Sequence, residues 1–314
     1  MKAGEDSWPR AFTISGEERL DKELCRLLSI SRETAKRMIL SGRVRIGGST
    51  RHHPARRVGA KTEIEILAPA AAVTLPPPAG PGPAAAPVEI QILYEDEFLI
   101  AISKPAGLPV HPGAGHERDT LVDLLRAKKT RLADMPDASR AGLVHRLDKD
   151  TSGLLLIAKT AAAAEHLMLQ FAERKIHKEY RAVIRGRMPR KTLQIVGSIG
   201  RNPAHRQKFS IQPGGRDAVT AIESLVESPM ASLIRVIPKT GRTHQIRVHL
   251  RHAGFPIVGD PLYGARVQGV QRMLLHSYKM IFTHPARGAK LQVIAPLPGD
   301  FVAALIHLGF PGFD

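Results

Sequence analysis

The segment HRLDKDTSG, residues 145–153, places one carboxylate where covalent chemistry is possible. Asp148 lies between Arg146 and Lys149, and nearby cations favour the ionised, nucleophilic form of a carboxylate. Apolar runs on either side, Gly142–Leu147 and Leu154–Ala158, read as strands, which puts Asp148 at the mouth of a turn at a strand end. A reacting group can be exposed there and still be held rigidly. The same letters, D-K-D-T-S-G, are also ordinary turn chemistry, so the local sequence leaves a catalytic and a structural reading open.

A second segment, PKTGRTHQIRVHLRHAGFPIVGDPLYG, carries Lys239, Arg242, Arg247 and Arg251 with His244, His249 and His252, and no acid before Asp260. It is anion-seeking. A guanidinium from it could pair with Asp148, orient it, and contact a phosphate or a flipped base. The histidine spacing matches no familiar ligand pattern, so no metal is expected. A third segment, KPAGLPVHPGAGHE from Lys104 to Glu117, has three prolines and three glycines around His111. Its composition suits a rigid loop approaching a nucleic-acid backbone and equally a plain surface connection. Tyr180 opens the strand-like run Tyr180–Ile184, where the residues alone favour a core position.

These segments need elements to hold them. Strand-like runs also cover Phe98–Ile102, helical periodicity covers Thr120–Leu132 and Ala161–Arg174, and a further helix is expected over Thr243–His252. Short turns join most strands, which favours an α+β fold with a mixed, mainly antiparallel sheet over residues 89–314. Residues 68–88 read APAAAVTLPPPAGPGPAAAPV, a charge-free linker able to extend to about 60 Å and to leave its flanking modules mobile. Before it, residues 17–67 form a small module, α then β. A helix over Arg19–Leu28 is followed by a second that starts after Ser31 and ends at Gly42, and then by short strands in VRIGGST and TEIEIL with a glycine turn. Arg32, Lys36, Arg37, Arg43, Arg45, Arg51, Arg56 and Arg57 face a single acid, Glu33, across this stretch, which reads as phosphate contact.

Composition narrows the partner. Lys and Arg number 46 against 29 Asp and Glu, a formal charge of +17 that calls for a polyanion. Aromatics are only 4%, which argues against a broad base-stacking surface. One cysteine, Cys25, excludes an intramolecular disulfide and suits a reducing compartment. No run approaches the roughly 20 apolar residues of a membrane span, and MKAGEDSWPRAF lacks a signal peptide's apolar core, so cytoplasmic residence is expected.

Taken together, HRLDKDTSGLLLIAK, KPAGLPVHPG and TGRTHQIRVHLRHAGFPIVGDPLYG resemble, in order, the motifs of the large-subunit ribosomal RNA pseudouridine synthase family, in the branch where an S4-type domain comes first. Residues 17–67 resemble that S4 module. The resemblance implies a pseudouridine synthase fold, an RNA isomerase without a cofactor, and a monomer. It also implies that Asp148 is the essential aspartate, that Tyr180 stacks on the target base and assists removal of the C5 proton, and that Arg247 pairs with the aspartate, with Arg242 the second choice.

For RNA contact the expected residues are Arg32, Lys36, Arg37, Arg43, Arg45, Lys104, His111, Arg146, Arg242, His244 and Gln245. HPGAG and the arginine motif look closest to the D-type enzymes acting on the intersubunit-bridge stem-loop, although the middle stretch NPAHRQKF departs from a clean family motif. Other rRNA sites or tRNA are the alternative substrates. Whether Asp148 attacks C1′ or takes the C2′ proton is left open. A non-catalytic ribosome-assembly protein would share the charge and the S4-like module, but it has no use for a lone carboxylate that repels phosphate.

Overall fold

The computed structural model describes residues 9–14, 16–28, 30, 32–50, 53–67, 89–112, 119–205, 207–264 and 267–313, and the chain divides into two compact units, 1–87 and 88–314. The linker assigned to 68–88 lies outside the described residues. None of the described helices is long and apolar enough to cross a membrane.

In the first unit, alternating residues build short strands around two helices. The elements are β1 (Arg10–Thr13), β2 (Glu18–Arg19), α1 (Leu20–Leu28), α2 (Arg32–Leu40), β3 (Val44–Ile46), β4 (Ser49–Thr50), β5 (Arg57–Val58) and β6 (Glu63–Ile66). Leu20 and Leu24 of α1 meet Ala35, Met38 and Ile39 of α2 over Val44, Ile64 and Ile66, all fully buried. A sheet in the order β1-β6-β3-β4 carries them. Gly47 and Gly48, at φ 57° and 73°, make the two-residue turn between β3 and β4, with both central residues at the positive φ that glycine adopts without strain.

The second unit runs β7 (Gln91–Glu95), β8 (Leu99–Lys104), α3 (Leu121–Ala127), β9 (Ser152–Ala158), α4 (Ala161–Ala172), β10 (His177–Arg185), β11 (Thr192–Arg201), β12 (Phe209–Ile211), β13 (Arg216–Glu227), β14 (Ala231–Pro238), α5 (Gln245–His252), β15 (Leu275–Thr283), β16 (Lys290–Ile294) and α6 (Gly299–His307). Ten strands form one sheet, β12-β11-β13-β14-β10-β15-β9-β8-β7, with β16 also on β15. Every pairing is antiparallel except β9 with β15, so the fold is α+β with a mixed, mainly antiparallel sheet.

Strand β9 is buried along its whole length because both faces are covered. Leu155 and Ile157 pack with Leu121 and Leu125 of α3 and Leu250 of α5, while Leu154, Leu156 and Ala158 pack with Leu167 of α4 and with Phe282. Each such leucine contributes about 1.5–3 kcal/mol of burial. Gly153, at φ 105°, has no room for a Cβ, which would lie 2.3 Å from the Ser277 oxygen across the parallel pair.

Helix ends follow their caps. Thr120 and Asp123 form a capping box at the start of α3, and the helix stops at Ala127, short of the expected Leu132. Thr160 caps α4, which ends at Ala172. Gly142–Leu147, expected as a strand, is instead a looped approach to the site. The imidazole Nε2 of His145 accepts the Leu156 N–H at 2.9 Å, in place of a neighbouring strand's carbonyl, and only Leu143 forms an isolated bridge, with Ile157. Asp148 therefore precedes one strand rather than linking two.

Candidate active site

Asp148 stands on the turn leading into β9. That turn is pinned from below: the Lys149 carbonyl accepts from the Gly107 N–H at 3.0 Å and from Lys104 Nζ at 2.9 Å. Lys104 closes β8 with no solvent exposure, and its ammonium also donates to the carbonyls of Pro105 and Leu108. Burial draws its pKa down to about 7, with the charges of Asp150 and Asp148 resisting. It cannot reach a phosphate, which corrects its expected RNA-binding role. Lys104→Met, which strips partners from three carbonyls, is expected to cost about 2–4 kcal/mol in denaturant unfolding and to slow turnover more than it weakens RNA binding.

Arg247, on the first turns of α5, reaches across 99 residues of sequence to Asp148, its Nη1 donating to Oδ2 at 2.9 Å. Its other edge is held by Asp260, whose two oxygens accept from Nε at 2.8 Å and Nη2 at 2.9 Å. Asp260 is fixed in turn by the backbone N–H groups of Leu262 and Tyr263. Burial opposes both charges, yet each wins from the other: Asp260 sits below the usual carboxylate range and Arg247 above its own. Two acids on one guanidinium leave it a single orientation. Among the described residues Asp148 Oδ1 has no hydrogen-bond donor, so one carboxylate oxygen is held and the other is uncommitted.

Gln245, expected at the RNA, is instead interior. It accepts from Thr240 Oγ1 and the Arg242 N–H and donates to the Val219 carbonyl and Thr220 Oγ1, tying the Thr240–Thr243 turn to β13. His244 follows at the N-cap of α5 in the left-handed region, φ 56°. Its Nε2 lies 3.8 Å from Asp148 Oδ2, and burial lowers its pKa.

The cleft around these groups has a volume of about 660 Å³, within the range of small-ligand sites. Asp148, Tyr180, His244 and Arg247 line it, with Arg146 and Arg242 at its edge. Tyr180, on β10, is 9% exposed, and burial pushes its phenol up to about 12, the Asp148 charge adding to the effect. It is at once part of the core and part of the cleft wall. Three cations that sequence reasoning passed over join the lining, Arg174 after α4, Lys178 on β10 and Arg216 at the start of β13, beside Lys239 of the anion-seeking segment after β14. The three come from three elements and form no local motif. Asp148 is the only acid among the lining residues. Burial lowers the Arg242 pKa, and repulsion from Arg216 and Arg174 lowers it further, which marks a place suited to an anion.

Of the other expected contacts, His111 is half-buried, its Nδ1 at 2.8 Å from the Pro112 carbonyl, and the rest of that loop, residues 113–118, lies outside the described residues. In the N-terminal unit Lys36 and Arg43 are half-buried, and Arg45 pairs with Glu65 at 3.7 Å. The side chains of Arg32 and Arg37, and all of Arg51, lie outside the described residues. Asp260 and Tyr263 were missed as site residues. The available signal was the lone acid at the end of a cationic run, where a buried guanidinium needs a counter-charge.

Comparison with known proteins places this geometry. The RNA pseudouridylate synthase family model matches residues 98–252, and the S4 domain model matches residues 18–64. Ribosomal large subunit pseudouridine synthase D of Zymomonas mobilis is 38% identical over 296 residues, covering 90% of this chain and 91% of that protein. Uncharacterized RNA pseudouridine synthase YlyB of Bacillus subtilis is 38% identical over 237 residues, covering 75% of this chain and 78% of that one. Among solved structures, Human RNA Pseudouridylate Synthase Domain Containing 1 superposes with a TM-score of 0.57 at 27% identity, over 67% of this chain and 84% of its own. The matched segment runs from the start of β8 through Asp148, Tyr180 and Arg247, and the chain belongs to the RNA pseudouridine synthase family, isomerases that act on uridine in RNA, with an S4 domain ahead of the catalytic unit.

Proposed function

We propose that this enzyme isomerises uridines of large-subunit ribosomal RNA, in the cytoplasm and as a monomer, with Asp148 as nucleophile. The observation that carries the chemistry is the Asp260–Arg247–Asp148 chain, which orients one carboxylate oxygen and leaves the other free in a cation-lined cleft. The synthase D relatives support the ribosomal RNA substrate.

The target base leaves the RNA stack to reach Asp148, at a cost of a few kcal/mol that phosphate contacts offset. Oδ1 attacks C1′, the C1′–N1 pair departs on the uracil, the ring turns, and C5 bonds to C1′ as the carboxylate leaves. The C5 proton passes to solvent and N1 takes one from solvent, so no atom is gained overall. Tyr180 stacks on the base as a neutral phenol, since burial holds it far from phenolate. Residues 17–67 serve as the RNA-docking domain and 89–314 as the catalytic domain.

Forming the new bond expels the C5 hydrogen, so tritium release from [5-³H]uridine-labelled RNA counts turnovers. Release from unmodified large-subunit rRNA and none from tRNA is the expected result, and the reverse would overturn the substrate assignment. Phosphate contact makes a separate prediction. Arg216→Ala and Arg242→Ala should each lower RNA affinity about equally across sequences and reduce the salt slope of binding by about one, read by filter binding from low to high salt.

A further inference from the structure

His244 has the placement of its proton dictated by its neighbours. Its ring is wedged edge-on between Phe209, at 5.5 Å and 76°, and Tyr263, at 5.6 Å and 78°. Nδ1 lies 2.9 Å from the Tyr263 hydroxyl, and that hydroxyl already accepts the backbone N–H of Phe209 at 2.7 Å. Tyr263 is 8% exposed, and burial keeps its phenol protonated. It has one hydrogen to place, and among the described residues His244 Nδ1 is the acceptor in range. Tyr263 therefore donates to Nδ1, and the imidazole hydrogen sits on Nε2, facing Asp148. The opposite tautomer, or an imidazolium, would strand a buried hydroxyl hydrogen. Around the ring, the charges of Asp148 and Asp260 favour the imidazolium while Arg247 and Arg146 oppose it, and burial lowers the pKa most.

We propose that His244 is a neutral catalytic donor, its Nε2–H bonding to a carbonyl oxygen of the extruded uracil, and that Tyr263 is a positioning residue that fixes its tautomer. The proposal rests on the reading of Asp148 as nucleophile. At 3.8 Å from Asp148 Oδ2 the Nε2–H is too far for a direct hydrogen bond, so the donor is uncommitted beside the reacting carboxylate. When C1′–N1 breaks, the bonding pair passes to the uracil ring and spreads from N1 onto its carbonyl oxygens. A preorganised donor stabilises that charge as it develops. The proton stays on the imidazole, and nothing is transferred. A neutral ring suits the place, because an imidazolium would compete with Arg247 for Asp148. Phe209 begins β12, so the seating of the β11–β12 hairpin sets the start of this chain of donors.

Nitrogen-15 NMR of the full-length protein labelled at histidine, at neutral pH and without RNA, reads the tautomer directly. A protonated Nε2 and an acceptor-type Nδ1 are expected for His244, becoming a mixture of tautomers in Tyr263→Phe with a severalfold slower single-turnover rate. His244→Leu should slow that rate on the order of 10²-fold with RNA affinity within about threefold, and His244→Gln, which restores an N–H donor in the same backbone conformation, should recover part of it. Protonation at Nδ1 in the wild type overturns the proposal. So does a His244→Gln rate no better than His244→Leu, or a loss that appears in affinity instead of rate. If His244→Leu does not fold, the wild-type tautomer and the Tyr263→Phe rate decide. Turnover surviving in Asp148→Asn would sink the nucleophile reading while leaving the tautomer result standing.

Discussion

Asp148→Asn is expected to lower single-turnover tritium release on the order of 10⁴-fold or more, with RNA affinity unchanged or slightly improved. The substitution keeps the shape of the side chain, and its amide oxygen still accepts from Arg247 Nη1, as Oδ2 does at 2.9 Å. What disappears is the nucleophile, since an amide does not attack C1′. Binding holds because the cations lining the cleft, Arg146, Arg174, Arg216, Lys239 and Arg242, lose a negative neighbour rather than a contact. Filter binding beside the kinetic assay separates the two effects. A joint fall in binding and rate would mean that the carboxylate organises the cleft instead of reacting.

Asp260→Asn is expected to destabilise the protein by about 3–5 kcal/mol, because it breaks a buried ion pair and leaves the guanidinium charge short of a partner. Arg247 is 3% exposed and Asp260 1%, so water does little to screen the loss. For a unit of this size that corresponds to a melting temperature lower by roughly 10 °C. The hydrogen bonds from Leu262 and Tyr263 can persist to the amide oxygen, so the charge is what the experiment tests. With Arg247 free to tilt, Asp148 loses its orientation, and a shift of about 1 Å at the reacting atom costs on the order of 10²-fold in rate. The pH dependence has a definite sign. Asp260 is held below its ordinary value of 3.8, so its contribution is fully present above that value and is lost as pH falls through the depressed one. The gap in melting temperature between wild type and variant should be flat near neutrality and close only in acid. A gap that widened in acid would contradict the pairing.

Much of the site was legible because its chemistry is local. HRLDKDTSG and GRTHQIRVH each carry their reactive groups within a few residues, so Asp148, Arg247, His244 and Arg242 could be named from sequence. Their meeting could not, since no spacing rule joins residues 99 apart. Lys104 was misplaced because a cation at the head of a Pro/Gly-rich loop reads as a surface ligand, and Gln245 because a polar side chain in a basic segment does; here both satisfy backbone or interior groups. Gly142–Leu147 misled as a strand because its apolar residues do face the core, while the hydrogen bonding that defines a strand is taken by the His145 ring. Asp260 was hidden by its turn-like G-D-P setting. Arg174, Lys178 and Arg216 join the Lys239–Arg242 stretch only through the fold, which brings the end of α4, β10 and β13 to one mouth with the end of β14.

The most direct test of the account is carbodiimide mapping of pseudouridine in unmodified large-subunit rRNA, treated in parallel with the wild-type enzyme and with Asp148→Asn. New reverse-transcription stops in the intersubunit-bridge stem-loop that are missing from the Asp148→Asn lane are the predicted result. Stops that persist in the Asp148→Asn lane, or their absence from rRNA altogether, would contradict it.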